Sequence, residues 1–194
     1  MAAIDGAERA LWQRGATGDG GAFGLIFDLH GDRVFRHAYR ILRDVQDAED
    51  ASAVAFLELW RRRRDVRLVD GSPLPWLLAT TTNTCRNLDR GRRRYRSMLD
   101  SLPHAVPAPS AEDIALDGQV VDSDLAAALA MLSRPDAELF ALVALEGYTA
   151  ADAAVAIGVS PGAARTRMHR IRARLQERLG HRTLAGYLAK EAAT

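Results

Sequence analysis

The chain has 194 residues, 48% of them hydrophobic, and a net charge of +1, which suits one ordinary domain or two small ones with packed cores and excludes wholesale disorder. Its longest purely apolar run, 125–132, falls far short of the roughly 20 residues of a membrane span, and no basic segment followed by an apolar stretch opens the sequence as in a signal peptide. One cysteine, Cys85, excludes an internal disulfide and a cysteine-based zinc site, so a cytoplasmic protein without membrane insertion is expected.

Strand signals are scarce: there is no Asn-Gly hairpin and no sustained period-two alternation, whereas helical periodicity dominates. A short first helix is predicted over 4–15, ended by the breaker Gly18-Asp19-Gly20-Gly21. A second is predicted over 22–43, with Phe23, Phe27, Val34, Ala38 and Ile41 broadly on one side, followed by a polar turn at 44–47. A third, over 48–64, buries Phe56, Leu59 and Trp60. Residues 65–75 contain Asp70-Gly71-Ser72-Pro73 and read as a loop, after which a fourth helix runs over 76–96. Its middle is rich in threonine and asparagine, poor helix formers that point to side chains kept for hydrogen bonding. Asn pairs with base edges, whereas Trp60 and Trp76 are by burial habit core residues rather than stacking platforms. Cys85 reads as a small buried apolar residue.

Residues 99–121 hold Pro103, Pro107 and Pro109 among small and acidic residues, and read as a flexible linker. Helices are predicted at 124–132 and 136–146, separated by Ser133 and Pro135 and stopped by Gly147. The clearest motif follows. Thr149 and Asp152 form a capping pattern that starts a helix at Ala150. Ala153, Ala154 and Ile157 give it an inner face, and Gly158 ends it where a left-handed conformation is needed. Val159 plugs the turn, Ser160 caps the next helix, and Pro161 takes its first position. This is a helix-turn-helix. Along the last helix Ala164, Met168, Ile171 and Leu175 face inward, which leaves Ser160, Arg165, Thr166, Arg167, His169, Arg170 and Arg174 for DNA. A recognition helix presents its N-terminal half to base edges: Arg pairs bidentately with guanine, and arginines further along meet phosphate.

The charge distribution agrees. Residues 86–96 carry six arginines against Asp89, residues 160–178 six more against Glu177, and residues 99–125 six acidic side chains with no Lys or Arg. Two basic blocks separated by an acidic segment suggest two nucleic-acid contacts joined by a tether. The fold expected is all-α: two small helical domains, 1–98 and 122–180, a flexible linker at 99–121, a helix-turn-helix in the second domain, and a tail at 181–194.

These residues resemble a known family. The stretch 41–50 (Ile-Leu-Arg-Asp-Val-Gln-Asp-Ala-Glu-Asp) with 56–60 (Phe-Leu-Glu-Leu-Trp) is similar to the second region of extracytoplasmic-function (ECF) sigma factors. The segment from Trp76 to Asn87 with its arginine tail resembles their promoter-melting, minus-ten-reading helix. Glu146-Gly147-Tyr148-Thr149 through Arg165, Thr166, Arg167 and Arg170 resembles their fourth region, which reads the minus-thirty-five element. The order and spacing of the three make the likeness specific. It implies that Asp47, Glu49, Asp50 and Glu58 dock on core RNA polymerase; that Asn83, Arg86, Asn87, Arg90, Arg92 and Arg93 lie along the minus-ten strand; and that the loop at 64–73 captures a flipped base. It also implies promoter DNA and core polymerase as partners, an inhibitory anti-sigma factor, no cofactor and no enzymatic activity. Three positions depart from the pattern: Ala53 and Val54 stand where polar or acidic residues are usual, and His169 where a larger aromatic is often found.

A different reading, a helix-turn-helix regulator with an N-terminal signalling domain, explains 122–180 but not the basic helix at 76–96. An enzyme is disfavoured: His30, His37, His104, His169 and His181 are scattered without metal-ligand spacing, and there is no Gly-rich phosphate loop.

Overall fold

A computed structural model describes residues 2–100 and 128–188, and among these every regular element is a helix. The first unit comprises α1 (Ala2–Ala16), α2 (Gly20–Leu42), α3 (Val45–Arg62) and α4 (Leu74–Asp100). In the second, residues 128–131 are helical; then come α5 (Arg134–Phe140), which runs on as a π-helical turn (Ala141–Leu145), α6 (Ala150–Ile157) and α7 (Pro161–Leu188). Helix α4 passes the end predicted at 96, because the first proline beyond it is Pro103. Helix α7 likewise carries the predicted tail as far as Leu188, no proline following Pro161. The predicted linker from 101 onward, the start of the helix predicted at 124, and the last residues of the tail lie outside the described residues. Among the described residues no helix is long and apolar enough to cross a membrane.

Local chemistry sets the boundaries. Asp19 starts α2 by accepting from the Ala22 N–H at 3.0 Å, and Asp44 starts α3 by accepting from Asp47 at 2.8 Å, each satisfying an N-terminal donor that the helix leaves unpaired. Helix α2 ends on Arg43 in the left-handed region (φ 54°). Between α3 and α4 the loop tightens into a two-residue turn. Asp70 and Gly71 both have positive φ (52° and 87°), and Val69 and Ser72 exchange backbone hydrogen bonds at 3.1 and 3.0 Å. That is the geometry of a primed hairpin turn, for which Asp-Gly is a favoured pair. It is finer than the plain loop read from the sequence.

The predicted inward faces are largely in place. Ile26, Val34, Ala38 and Ile41 of α2 are buried against Ala51, Ala55, Phe56 and Leu59 of α3, and Leu77, Leu78 and Cys85 of α4 complete the first core. Phe27, expected inside, is half exposed with its ring against Phe56 at 4.7 Å. Trp60 is partly buried and meets Phe23 edge-on at 5.0 Å. The Cys85 thiol is fully enclosed, and burial pushes its pKa far up.

The two units are not separate. Their apolar side chains form one continuous core, and the junction is the end of α5. All seven residues from Leu139 to Leu145 are buried. A helix apolar on every side needs cover on every side. The second unit covers part of it, and α4 of the first covers the rest. The π-helical turn ends on the Glu146 N–H donating to the Ala141 carbonyl at 3.1 Å, and Gly147 follows at φ 75°. This widened turn delivers Glu146 against α2.

Candidate nucleic-acid interface

The helix-turn-helix forms as its caps require. Thr149 accepts from Asp152 N–H at 3.1 Å and donates to its carboxylate at 2.6 Å. Gly158 closes α6 at φ 76°, and Ser160 accepts from the Ala163 N–H at 3.2 Å to open α7. The positive φ makes Gly158 the residue for this position, and the end of the flexible, exposed Arg67 side chain of the α3–α4 loop lies beside it. Ala164, Met168, Ile171 and Leu175 are buried, so α7 turns its other faces outward. Ser160, Arg165, Thr166, His169, Arg170 and Arg174 are all exposed. Arg167 differs: it is partly buried and reaches Asp136 at the start of α5 at 3.3 Å. It braces the motif from within, which its spacing on the helix did not reveal.

Helix α4 is divided lengthwise. Asn87, Arg90 and Arg93 are exposed, with Arg93 3.0 Å from Asp89. Asn83 and Arg86 are 9% and 4% exposed and point into the second unit. Asn83 donates to Glu138, which also pairs with Arg134 at 3.2 Å. Arg86 donates to the carbonyls of Leu129 (3.0 Å) and Leu132, capping the end of helical segment 128–131, where unpaired carbonyls carry negative partial charge. Burial lowers the Arg86 pKa, as expected for a cation held out of water. The threonines beside them are not free donors either: Thr81, Thr82 and Thr84 bond back to carbonyls four residues earlier, at 2.8, 2.9 and 3.2 Å.

The residues expected on polymerase fall on α3. Glu49 and Asp50 are exposed. Glu58 pairs with Arg61 and Arg62 at 2.9 and 3.2 Å. Asp47 is held by Arg92 of α4, which also lies 3.6 Å from Asp44, so one side chain expected on polymerase and one expected on DNA are tied to each other. Asp50, Ala53, Val54 and Leu57 form a single exposed stripe, with Val54 and Leu57 among the most exposed large apolar residues of the protein.

One constellation escaped the sequence reading. Glu146 accepts from His37 Nδ1 at 2.7 Å and from Arg33 at 3.2 and 3.3 Å. Arg40 lies 3.9 Å from the same carboxylate and donates to the Leu145 carbonyl at 2.9 Å. His37 Nε2 is 2.9 Å from the Thr82 hydroxyl, so both nitrogens of the buried ring have a polar partner. Burial pushes the Glu146 carboxyl up, but the His37 hydrogen bond and the neighbouring charges of His37 and Arg33 outweigh it and hold the pKa below the ordinary value. The available signal was the apolar run from Leu139, which no single unit could cover and which ends on a glutamate.

Comparisons with known proteins agree with this division into two units. A family model described as Sigma-70 region 2 matches residues 26–95, and one described as Sigma-70, region 4 matches residues 123–175. The chain is 35% identical over 183 residues to the ECF RNA polymerase sigma factor SigE of Mycolicibacterium smegmatis, covering 90% of this chain and 66% of that protein, about two thirds of its length. It is 33% identical over 163 residues to the RNA polymerase sigma factor CarQ of Myxococcus xanthus, covering 82% of this chain and 90% of CarQ. Among solved structures it is similar to CnrH in complex with the cytosolic domain of CnrY, with a TM-score of 0.56, 26% identity, and coverage of 89% of this chain and 97% of that one. Carrying both regions in order and aligning with nearly the whole of CarQ, the chain belongs to the ECF sigma factors of the sigma-70 family.

Proposed function

We propose that this protein binds core RNA polymerase and directs promoter-specific initiation in the cytoplasm, as a binding factor and not an enzyme. The observation that carries the reading is the exposed row on α7, from Ser160 through Arg165, Thr166, His169 and Arg170, on a helix-turn-helix that shares a chain with a second basic helix, α4. The α7 row reads the minus-thirty-five element, with Arg165 and Thr166 on base edges and Arg170 and Arg174 on phosphates. Asn87, Arg90 and Arg93 follow the minus-ten strand. The stripe of Asp50, Ala53, Val54 and Leu57, with Glu49 beside it, docks on polymerase; Ala53 and Val54 make that contact more apolar than the family pattern. The boundaries 1–98, 99–121 and 122–180 describe the corresponding domains.

Function requires the units to part. Elements named for positions ten and thirty-five lie about 25 base pairs apart, about 85 Å of B-DNA at 3.4 Å per pair. Helix α4 and the second unit are in direct contact here. The stretch 101–127, drawn out fully, reaches about 90 Å, so the covalent connection permits the separation. The closed arrangement is the resting form. Parting frees Asn83 and Arg86 for the strand and Arg67 for the loop that captures a base. The likeness to CnrH, solved with the cytosolic domain of CnrY, supports a protein partner, an anti-sigma factor, for this chain as well.

The test is reconstitution: purified chain, bacterial core polymerase and a library of promoter fragments. Transcripts starting at defined sites only when the chain is present are expected. Folded chain that neither co-purifies with core polymerase nor supports such transcripts would end the reading.

A further inference from the structure

The cleft at the junction of the units, about 890 Å³, is lined by Arg33, Arg36, Arg40 and Arg43 of α2 and by Glu146. The arginines follow one another at three- and four-residue spacing, a row about 15 Å long on one face of the helix. His37 of the same face touches Thr82 of α4, so the row borders the helix whose exposed edge faces the minus-ten strand. Against four guanidinium groups the second unit sets one carboxylate. It receives a forked contact from Arg33 and a hydrogen bond from His37, as a phosphate would. Arg36 is exposed and has no ion-pair partner among the described residues.

We propose that the arginine face of α2 is a phosphate track for single-stranded promoter DNA, and that Glu146 fills it in the closed arrangement as an internal stand-in for a phosphate. The track accommodates about two or three successive phosphates without reading sequence. Its occupant is nucleic acid rather than an acidic peptide, because the row adjoins α4 through His37 and Thr82, the helix whose exposed edge is assigned above to the minus-ten strand. The proposal deepens the sigma-factor reading and rests on it. It adds that closing the units and binding the strand are mutually exclusive at one set of charges.

The probe is a fluorescein-labelled twenty-mer of thymidylate, titrated by anisotropy into the full chain at several salt concentrations. Glu146→Gln should bind it at least about threefold more tightly than the parent, with a slope of log affinity against log salt steeper by about 0.7 for each phosphate gained. Arg36→Ala, at a side chain with no ion-pair partner among the described residues, should weaken binding about threefold in the Glu146→Gln background and make the slope shallower by about 0.7, while Arg36→Lys should recover most of the loss. Unchanged affinity and slope in Arg36→Ala, or no gain in Glu146→Gln, would overturn the track. So would equal competition by a twenty-residue polyglutamate, which would make an acidic peptide the occupant. Because promoter-specific transcription with core polymerase is scored separately, loss of the track leaves the sigma-factor reading standing, and loss of transcription removes both.

Discussion

Helices α4 and α7 carry similar arginine-rich sequences but present them to different surroundings. On α7 the arginines other than Arg167 that were expected on DNA are exposed; on α4, Arg86 is buried on backbone carbonyls and Arg92 is tied to Asp47. The inner face of α7 is a clean apolar stripe that packs within its own unit. The inner face of α4 is mixed: part belongs to the first core, and part meets the buried end of α5. An arginine on that second part is held by whatever carbonyls and carboxylates the other unit brings. Charge density along a helix therefore indicates affinity for anions but not which anion holds each residue at rest.

The largest effect expected from this contrast concerns Arg86. Arg86→Ala leaves two buried carbonyls without their donor and should lower unfolding free energy by about 3 kcal/mol, whereas Arg90→Ala, exposed one turn further on, should stay within about 0.5 kcal/mol. Chemical denaturation of both variants checks this. Equal and small losses would mean that Arg86 does not brace the units in solution. Next in size is Arg165→Ala, which should weaken binding of a minus-thirty-five fragment by the polymerase complex by about 1–3 kcal/mol and relax preference at one or two bases. A panel of single-base changes measures it, and a variant with unchanged preference would put the helix differently in the groove.

A smaller effect follows from Glu146. Its carboxyl titrates below the ordinary range in the folded chain, so its stabilising contribution is fully present above the pKa of an unperturbed glutamate and is lost as pH falls through the lowered value. The difference in melting temperature between the parent and Glu146→Gln should hold steady from neutral pH down to that range and then shrink. A gap independent of pH would show that the carboxylate's charge is not what stabilises the junction. Smallest of all, Arg174→Ala should weaken every duplex about equally and reduce the salt slope by about 0.9 if it meets one phosphate. Any change in its base preference would reverse the roles given to Arg165 and Arg174.

Much of the architecture was legible because it is local. Thr149, Gly158, Ser160 and Pro161 fix the helix-turn-helix through caps acting over three or four residues. The period of Ala164, Met168, Ile171 and Leu175 fixes the inner face of α7. What was not legible depends on residues distant in sequence. Nothing near Asn83 announces Glu138, fifty-five positions away, and nothing near His37 announces Glu146. The reading of α4 as a single DNA-facing surface treated its polar middle as one edge. The structure turns Asn83 and Arg86 into the junction and leaves Asn87, Arg90 and Arg93 outside. The threonines chosen as free hydrogen-bonding groups are satisfied by their own helix, a pattern available at every helical Thr and so uninformative in sequence.

Cys85 adds a practical consequence. The chain's single thiol sits fully enclosed on α4, two residues from Asn83 and next to Arg86, with its ionisation suppressed by burial. Only the thiolate attacks an alkylating reagent, so maleimide labelling of Cys85 in the native protein should be slow and limited by its exposure. A cysteine introduced on the surface of each unit takes a dye without removal of the natural one, and the rate at which Cys85 itself becomes modified under native conditions counts the openings of α4.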